Sequence, residues 1–473
     1  MVKRTKIVAT IGPSSRDLSI LKKLVLAGAN VFRLNFSHGD HSSHLEIIKR
    51  IKQIRKELGY PVAILQDLSG PKIRIGKIKN EPLQLKVNDR IILDASLKTL
   101  SEGNRIGLNY PDFASDVSPD SRLLLADGEI ELVVEAIHPP QVYCRVLTGG
   151  NLTSAKGINF PTGSFKVAAI TTKDKQDLQF GLKNGIDLVA LSFVRSAQDI
   201  RQLRQIMKEA GRLVPVIAKV EKHEAIDNID EIIEEADAIM IARGDLGVEI
   251  EIEKIPIVQK RILTLSQNVG KPVITATQML KSMVVATRPT RAEVTDVANA
   301  ILDGTDAVML SEETAIGRYP ERVVQVMKNI AYYTEEFYFE KQHNKITPIN
   351  IEKDFTLSIA HSAVILAQDI KASVILAITR TGYTAKMIAR FRPQSRILAL
   401  TPSQDTFYQL SMVWGVIPVV CPHPKNANHL FKEGLKIAHK RGLIKKGDHY
   451  VIISGYPLEK PRSINQIKAG RFD

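Results

Sequence analysis

Cysteine, aromatic residues and long apolar runs are all scarce in this sequence, and each shortage excludes a class of protein. The two cysteines, Cys144 and Cys421, are too few and too far apart for a disulfide framework or a thiolate metal site. Aromatic residues make up 5% of the chain, too few for a base-stacking surface, so we expect no nucleic-acid partner. No apolar run approaches the roughly 20 residues of a membrane span, so we expect no membrane association.

The start of the sequence also lacks the apolar core of a signal peptide, because Met1-Val-Lys-Arg-Thr-Lys leads directly into the first apolar run. We therefore expect a cytoplasmic protein. The length of 473 residues predicts about three domains, since single cores stop growing at roughly 250–300 residues. The net charge of +14 indicates anionic partners, and its spread along the chain favours small phosphorylated ligands. A solvated basic surface is the alternative for most individual lysines.

Eight short apolar runs dominate the pattern, and helix-like sequence follows most of them. Runs that are buried on both faces and joined by helical crossovers are typical of parallel strands. Eight such units predict a (β/α)₈ (TIM) barrel, whose chemistry lies at the carboxyl ends of its strands. The predicted strands are residues 6–10, 30–35, 62–67, 187–192, 214–219, 238–242, 272–277 and 306–311.

Two regions depart from the barrel pattern, and together with it they predict an α/β protein of three domains. Short alternating strands with turn signals predict a small β-barrel domain inserted on the catalytic face as a lid. Its expected strands are 83–87, 90–93, 123–125, 131–136 and 141–147, with hairpin turns at Asp127-Gly128 and Gly149-Gly150. After a linker at 341–354, alternating helices and strands predict an open α/β sheet. We expect the barrel at 1–70 and 168–340, the lid at 71–167 and the C-terminal domain at 341–473.

Charged side chains that suit a metal ion follow two neighbouring strands of the predicted barrel. Lys219 and Glu221 are two residues apart, so along a strand both point to one face. Arg243-Gly244-Asp245 follows the next strand, which should bring Asp245 beside Glu221. Two adjacent carboxylates favour a hard divalent cation, and Mg²⁺ suits a site with few protein ligands. The alternative is a Lys–Glu ion pair beside an unrelated turn.

The same end of the barrel carries candidates for an anion site and a monovalent cation site. The amides at Gly244 can cup a carboxylate, Thr277 offers a hydroxyl to the same anion, and Arg33 adds a phosphate-binding fork. A different set of oxygens is typical of a monovalent cation site, and it comes from Asn35, Ser37, His38 and Asp67. Ordinary helix and strand caps are the alternative for Asn35, Ser37, His38 and Thr277.

Seven sequence motifs point together to one family. They are Lys6-Ile-Val-Ala-Thr10-Ile-Gly-Pro13, Arg33-Leu-Asn35-Phe-Ser37-His38-Gly39, Gly70-Pro-Lys72-Ile-Arg74, Ala218-Lys-Val-Glu221, Met240-Ile-Ala-Arg243-Gly-Asp245-Leu-Gly247, Ala276-Thr-Gln-Met-Leu280, and Arg288-Pro-Thr-Arg-Ala-Glu293 with Asp296-Val-Ala-Asn299. In this order they resemble pyruvate kinase over nearly the whole chain, the insertion included. The resemblance implies a barrel, a lid and a C-terminal effector domain. It also implies an ATP:pyruvate 2-O-phosphotransferase of glycolysis, which converts phosphoenolpyruvate and ADP to pyruvate and ATP.

The resemblance implies a role for each polar group at the barrel mouth. Glu221 and Asp245 would bind the essential Mg²⁺ (or Mn²⁺), and a second metal ion would arrive with the nucleotide. Arg33 and Lys219 would hold the phosphoryl group, with Lys219 stabilising its charge during transfer. Thr277 or Ser311 would take part in protonating the enolate. The substrate carboxylate would bind to Gly244, Asp245 and Thr277. The nucleotide would bind to Asn35, Phe36, Ser37, His38, Arg74 and Lys173. K⁺ would bind to Asn35, Ser37, Asp67 and Leu68.

Three positions depart from the family pattern. Lys72 stands where potassium-dependent members have Glu, and its ammonium can supply the charge of K⁺, so we predict that K⁺ is dispensable. Glu312 adds a carboxylate to the run Met309-Leu-Ser311-Glu312-Glu313. Ser43 stands where animal members have a Tyr near the adenine, which leaves the base contacts open.

The C-terminal region predicts a site for a phosphorylated allosteric effector. Thr379-Arg380-Thr381-Gly382-Tyr383-Thr384 lies between a predicted strand and helix, where hydroxyls and amides bind phosphate well, and it resembles the effector loop of the family. A basic loop at 454–463 would close over the ligand. An ordinary helix cap beside a basic surface loop is the alternative. The resemblance further implies a homotetramer.

Two other functions fit parts of the sequence. A metal-dependent lyase acting on pyruvate enolates would use Mg²⁺, a carboxylate-binding turn and an arginine, but it would need neither a lid nor Arg74 and Lys173. A basic RNA-binding or scaffold protein would need none of the barrel-mouth residues Lys219, Glu221, Asp245 and Thr277.

Overall fold

A closed barrel of parallel strands forms the centre of the protein in a computed structural model. The structure describes residues 3–97, 100–161, 163–341, 354–421, 427–455 and 464–473. The chain forms three barrel strands, leaves the barrel for an insertion, and returns to complete it. The first three barrel strands are β1 (Lys6–Thr10), β2 (Val31–Asn35) and β3 (Ala63–Asp67). The strands of the insertion are β4 (Leu83–Leu85), β5 (Arg90–Asp94), β6 (Arg105–Gly107), β7 (Arg122–Leu125), β8 (Ile130–His138), β9 (Gln141–Thr148), β10 (Gly150–Leu152) and β11 (Ile158–Asn159). The last five barrel strands are β12 (Leu188–Leu191), β13 (Val216–Val220), β14 (Ala238–Ala242), β15 (Val273–Ala276) and β16 (Ala307–Leu310).

The order of strands around the barrel is β1, β16, β15, β14, β13, β12, β3 and β2, which closes on β1. Each strand predicted from the apolar runs is present, so the prediction of a (β/α)₈ barrel is confirmed. The residues of β1, β3, β13 and β14 are buried along their whole length, as expected of parallel strands covered on both faces. The register pairs Thr10 with Arg33 and Asn35 with Asp67, so these polar residues end adjacent strands at one rim.

Helices lie between the strands of the barrel, of the insertion and of the C-terminal region. They are α1 (Leu18–Ala27), α2 (His41–Leu58), α3 (Phe113–Asp116), α4 (Thr172–Lys183), α5 (Ala197–Glu209), α6 (His223–Asp227), α7 (Ile229–Glu235), α8 (Arg243–Glu249), α9 (Ile255–Asn268), α10 (Arg291–Leu302), α11 (Glu312–Ala315), α12 (Pro320–Lys341), α13 (Phe355–Asp369), α14 (Tyr383–Ala389), α15 (Gln404–Gln409) and α16 (Ala427–Lys440). Short 3₁₀ turns occur at Ala126–Gly128, Ile252–Lys254, Lys281–Val284 and Leu410–Met412. Thr171 and Thr290 start α4 and α10 with capping boxes, in which each threonine accepts from the amide three residues on.

The insertion has its own hydrophobic core, separate from that of the barrel. Its sheet runs β11, β7, β8, β9, β5 and β6, with β10 and β4 paired beside it. This sheet is not closed by hydrogen bonding in the described residues, so the lid is a β domain around a shared core. The hairpin predicted at Gly149-Gly150 is wrong, because β10 pairs with β4 and not with β9. Gly149 instead allows the chain to approach β4 closely, since a Cβ at this position would lie 2.4 Å from the Leu85 carbonyl oxygen.

The C-terminal region forms an open sheet in the order β19 (Val416–Val420), β18 (Arg396–Thr401), β17 (Val374–Ile378), β20 (His449–Ser454) and β21 (Gln466–Arg471). The first four strands are parallel and alternate with helices, as predicted for an open α/β sheet. The antiparallel β21 was missed, because its side chains are mostly exposed and show no apolar run. Met412 packs with the side chains that fill the barrel interior, so this region contacts the barrel.

The limits of the three domains stay predictions, and most of the predicted linker, residues 342–353, lies outside the described residues. None of the helices in the described part of the chain is both long and apolar enough to cross a membrane.

Candidate active site

A buried chain of ion pairs crosses the carboxyl-terminal end of the barrel. Arg33 Nε donates to Asp67 Oδ2 at 2.6 Å, and Lys219 Nζ lies 3.3 Å from Asp67 Oδ1. The same ammonium lies 2.7 Å from Glu221 Oε1. These four side chains come from β2, β3, β13 and the residue that follows β13. Closure of the barrel thus brings together charges that are far apart in the sequence.

The charges in this chain shift one another's pKa. Burial alone would lower the pKa of Lys219, but Asp67 and Glu221 outweigh it, and the net shift is upward. Burial would raise the pKa of Asp67, but Lys219 and Arg33 outweigh it and hold that pKa below its ordinary value. Burial raises the pKa of the Glu221 carboxyl, and the neighbouring Asp245 adds to this shift against the opposing effect of Lys219. The ammonium of Lys219 therefore stays charged in a nearly dry site.

Two contacts of this chain come from residues that the sequence did not indicate. The Ser192 hydroxyl accepts from Lys219 Nζ at 2.8 Å, and the Phe193 amide donates to Glu221 Oε2 at 2.9 Å. Both residues directly follow β12. The signal available in the sequence was a serine at the end of a predicted barrel strand, the same signal that singled out Thr277.

The turn around Gly244 and Asp245 lies against the end of β15. The Gly244 amide donates to Thr277 Oγ1 at 2.8 Å, so two predicted carboxylate-binding groups are in contact. Thr277 has φ of +70°, a left-handed conformation that a β-branched residue adopts only under strain. Arg243 is held by a bidentate pair with Asp296, with both N–O distances 2.7 Å. This pair fixes the start of α8, where Asp245 lies in the first turn.

The last residue of β2 and the residues that follow it form a second cluster at the same rim. Asn35 Oδ1 accepts from the Ser37 amide at 3.1 Å, and both Ser37 and His38 are exposed. The Phe36 ring is buried and stacks on His44 at 4.0 Å, so only its backbone faces the cluster. Lys173 Nζ reaches the Phe36 carbonyl oxygen at 2.7 Å and Asp177 Oδ2 at 2.5 Å. Five of the six predicted nucleotide contacts, all except Arg74, are thus neighbours.

Arg74 and Lys72 lie in the cleft between the lid and the barrel. Lys72, Arg74 and Asp245 line this cleft together. The Arg74 guanidinium donates to the Ala155 carbonyl oxygen at 2.7 Å, and the Lys72 ammonium lies 5.8 Å from the centre of the Phe193 ring. Lys72 is exposed. The carbonyl of Leu68, assigned from the sequence to the K⁺ site, accepts from the Ser192 hydroxyl at 2.7 Å.

A network at the lid edge was also missed by sequence reasoning. Glu249 Oε1 accepts from Asn159 of the lid at 2.7 Å and from Lys222 at 2.6 Å. His223 Nδ1 lies 3.3 Å from Glu249 Oε2 and 3.3 Å from Glu224 Oε2. The three ligand-type atoms of His223, Glu224 and Glu249 lie within 4.8 Å of one another. Because Lys222 already balances the charge of Glu249, we infer that His223, Glu224 and Glu249 serve the contact between lid and barrel and do not bind a metal ion. In the sequence this network could have been suspected from the charged residues Lys222, His223 and Glu224, which directly follow Glu221.

The remaining candidates lie away from this rim or at its edge. Glu312 is exposed and pairs with Lys281, so the added carboxylate belongs to a surface ion pair. Ser43 closes the capping box of α2 with Asp40.

In the C-terminal domain, Gly382 has φ of +84° where the predicted effector loop enters α14, while the Arg380 carbonyl accepts from Thr406 at 2.9 Å. Residues 456–463 of the second loop lie outside the described residues.

The fold and the site define a (β/α)₈-barrel enzyme whose charged centre lies at the carboxyl ends of the strands, beneath an inserted lid. Comparison with known families is consistent along the chain. The family "Pyruvate kinase, barrel domain" matches residues 2–324, and "Pyruvate kinase, alpha/beta domain" matches residues 357–469. The chain therefore belongs to the pyruvate kinase family, as its motifs suggested.

Individual relatives agree with this assignment. The chain is 45% identical to pyruvate kinase 2 of Synechocystis, over 96% of this chain and 76% of that protein. It is 42% identical to pyruvate kinase of Geobacillus stearothermophilus, over 99% of this chain and 80% of that protein. A crystal structure of a pyruvate kinase from Cryptosporidium parvum superposes with a TM-score of 0.91 at 36% identity, covering 100% of this chain and 96% of that one. Members of this family are phosphotransferases that use a divalent metal ion.

Proposed function

We propose that this protein transfers the phosphoryl group of phosphoenolpyruvate to ADP, giving pyruvate and ATP. The single observation that carries the proposal is the buried Lys219 ammonium, held between Asp67 and Glu221 at the barrel mouth. A fixed positive charge in a dry site stabilises a phosphoryl group in transfer far better than the same charge in water. Arg33, anchored on Asp67, supplies the second cation.

Glu221 and Asp245 are the residues that would hold Mg²⁺ or Mn²⁺. The donor set fits, because both groups are carboxylates and Asp245 lies close enough to raise the pKa of Glu221. When bound, the ion would neutralise anionic oxygens of the substrate and of the two carboxylates. The chain itself keeps Glu221 oriented, since Lys219 and the Phe193 amide each contact one of its oxygens.

The substrate carboxylate would lie against the amides of Gly244 and Asp245 and the Thr277 hydroxyl. The contact between the Gly244 amide and Thr277 Oγ1 supports this role, because it brings the two groups to one point, where a bound carboxylate would replace Thr277 as the acceptor of the amide. Thr277 or Ser311 would also take part in protonating the enolate through water. Strain at Thr277 supports a functional role, since such conformations cluster at active sites.

The nucleotide would bind between the cluster after β2 and the lid. Asn35, Ser37, His38 and the backbone of Phe36 lie on one side with Lys173, and Arg74 lies on the lid side. The lid would exclude water when it closes. Asn35, Ser37, Asp67 and Leu68 would form the monovalent cation site, and we propose that Lys72 replaces the ion.

Three further properties belong to the same proposal. The protein would act in the cytoplasm as a homotetramer, and a phosphorylated effector would bind at residues 379–384. Light scattering at micromolar concentration tests the assembly, and a monomer would contradict it.

A coupled assay tests the reaction. Phosphoenolpyruvate and ADP are supplied with Mg²⁺, and pyruvate is measured by the oxidation of NADH with lactate dehydrogenase. ADP-dependent pyruvate formation is expected. Pyruvate formation without ADP would indicate hydrolysis of phosphoenolpyruvate and contradict transfer to ADP, and no pyruvate at all would reject the proposed reaction.

A further inference from the structure

We propose that the turn Ser192-Phe193 is a positioning device that holds the two central charged groups of the site in place. Ser192 orients the Lys219 ammonium, and the Phe193 amide orients the Glu221 carboxylate. The inference rests on the proposed phosphoryl transfer. It adds two residues that no motif, charge or spacing in the sequence had assigned to the site.

The hydroxyl of Ser192 has only one proton, and its surroundings decide where that proton goes. Ser192 Oγ lies 2.7 Å from the Leu68 carbonyl oxygen, which can only accept. Asp67 Oδ1 is a second acceptor but lies farther away, at 3.4 Å. The proton therefore points to Leu68, and the lone pairs of Oγ point to Lys219 Nζ at 2.8 Å. Ser192 is almost fully buried, so water does not compete for these bonds.

This hydroxyl completes the set of acceptors around Lys219. An ammonium has three N–H donors, and here three acceptors surround it. They are Glu221 Oε1 at 2.7 Å, Ser192 Oγ at 2.8 Å and Asp67 Oδ1 at 3.3 Å. Two of the three acceptors, Asp67 and Glu221, are anions. Ser192 is the neutral third acceptor. Without its hydroxyl, only the two carboxylates would remain as acceptors for the Lys219 ammonium.

Phe193 acts through its backbone. Its φ of +55° is in the left-handed region, which an aromatic residue rarely adopts, and this conformation directs the amide at Glu221 Oε2. One Glu221 oxygen thus meets Lys219 and the other meets Phe193, which fixes the plane of the carboxylate. The Phe193 ring is packed against Gly70, where a Cβ would lie 2.7 Å from Phe193 Cδ2. Contact with Gly70 on one side helps to maintain the strained turn.

The turn also connects the charged centre with the start of the lid. Gly70 precedes the lid, and Lys72 lies over the Phe193 ring at 5.8 Å. The Leu68 carbonyl, proposed above as a ligand of the cation site, receives the Ser192 proton. A single turn therefore contacts the phosphoryl-binding lysine, a metal-binding carboxylate and the segment that leads into the lid.

Ser192→Ala tests the role of the hydroxyl. Because the variant removes one atom, we expect it to fold, with kcat reduced about 10- to 100-fold and KM for phosphoenolpyruvate within about threefold of wild type. If Ser192 had a merely structural role, its substitution would lower the melting temperature without a selective loss of kcat at nearly unchanged KM. The Mn²⁺ dissociation constant, measured by electron paramagnetic resonance, should change less than about threefold, since Phe193 still holds Glu221.

Ser192→Thr and Ser192→Val form the matched pair, because both carry the same extra volume and only Thr keeps the hydroxyl. We expect Thr to exceed Val in kcat by at least about tenfold. Equal rates for Thr and Val, or a kcat for Ser192→Ala within about twofold of an active wild type, would overturn the inference. A wild type that makes no pyruvate would reject the proposed reaction and this inference with it.

Discussion

The ammonium of Lys219 lies 2.7 Å from Glu221 Oε1, and both side chains are almost fully buried. The two residues are separated by one position at the end of β13 and so share one face of the barrel. Asp67 from β3 and Asp245 from the start of α8 add further negative charge around them. Lys219 therefore carries its charge in surroundings that favour the protonated form.

Lys219→Met should abolish most turnover while leaving the fold and phosphoenolpyruvate binding in place. One stabilising charge in a dry site is worth roughly 3–4 kcal/mol or more, so kcat should fall by at least two to three orders of magnitude. Steady-state kinetics and ligand-induced fluorescence changes measure the two effects. The exposed Lys208→Met is the control, and turnover of Lys219→Met within about fivefold of wild type would reject the role of this lysine.

Glu221→Gln and Asp245→Asn should raise the Mg²⁺ concentration needed for half-maximal activity by at least about tenfold. Each amide keeps the shape of the side chain but loses the charge that binds a hard cation. Titration of activity with Mg²⁺ and direct binding of Mn²⁺ provide two independent measurements. Glu234→Gln, outside the site, is the control. An unchanged metal requirement in both variants would mean that the ligands lie elsewhere.

Lys72→Glu should make activity depend on K⁺, whereas the wild type should respond little when K⁺ replaces Na⁺ or a bulky organic cation. The reason is that a carboxylate at this position removes the fixed positive charge, while Asn35, Ser37 and Asp67 remain to bind an ion. The exposed Lys77→Glu, on the same segment, controls for a general change of charge. Strong activation of the wild type by K⁺ would contradict the prediction.

Thr381→Glu should abolish activation by a phosphorylated effector while basal catalysis survives. Thr384 is a poorer choice for this test, because it is 5% exposed and a carboxylate there would also disturb packing. Thr381 is exposed, so Glu at this position would repel a phosphate at little structural cost. Fructose 1,6-bisphosphate, AMP and a sugar monophosphate are the probes, and Thr381→Gln is the control. An activator that works equally well on the Glu variant would place its site elsewhere.

Lys6→Met should change how stability depends on pH. Burial lowers the pKa of Lys6 to about 8 from an ordinary value of 10.5, and its ammonium donates to the Val416 carbonyl oxygen at 2.7 Å. Between these pH values the unfolded chain binds more protons than the folded chain at this residue, so stability rises with pH. The free energy of unfolding of the wild type should therefore rise relative to the variant, by at most about 3 kcal/mol.

Denaturant unfolding at several values between pH 7 and 10.5 measures this difference. The exposed Lys56→Met is the control and should run parallel to the wild type. Parallel curves for the wild type and Lys6→Met would show that Lys6 keeps its ordinary pKa.

The barrel could be predicted because its strands are continuous apolar runs, a pattern that depends on local sequence and on burial of both faces. The same holds for Lys219, Glu221 and Asp245, since strand ends and turns bring them to one rim of any such barrel. The missed strand β21 shows where this reasoning stops. Its residues are mostly exposed, so only pairing with β20 makes it a strand.

Other features depended on contacts between distant segments. The pairing of β10 with β4 replaced the hairpin expected at Gly149-Gly150, because strand pairing is decided by the whole lid core and not by the turn residues alone. The bond between Asn159 and Glu249 joins the lid to the barrel across 90 positions. No local pattern could have indicated either contact.

The sequence by itself determined the order of barrel strands, the identity of the charged residues at their ends and the family to which the chain belongs. These depend on residue types and on spacings of a few positions. Only the tertiary structure decided which groups touch. Ser192 meets Lys219, Phe193 meets Glu221 and Arg33 meets Asp67, because barrel closure brings together side chains from different strands, and the low dielectric of the interior then makes each contact strong.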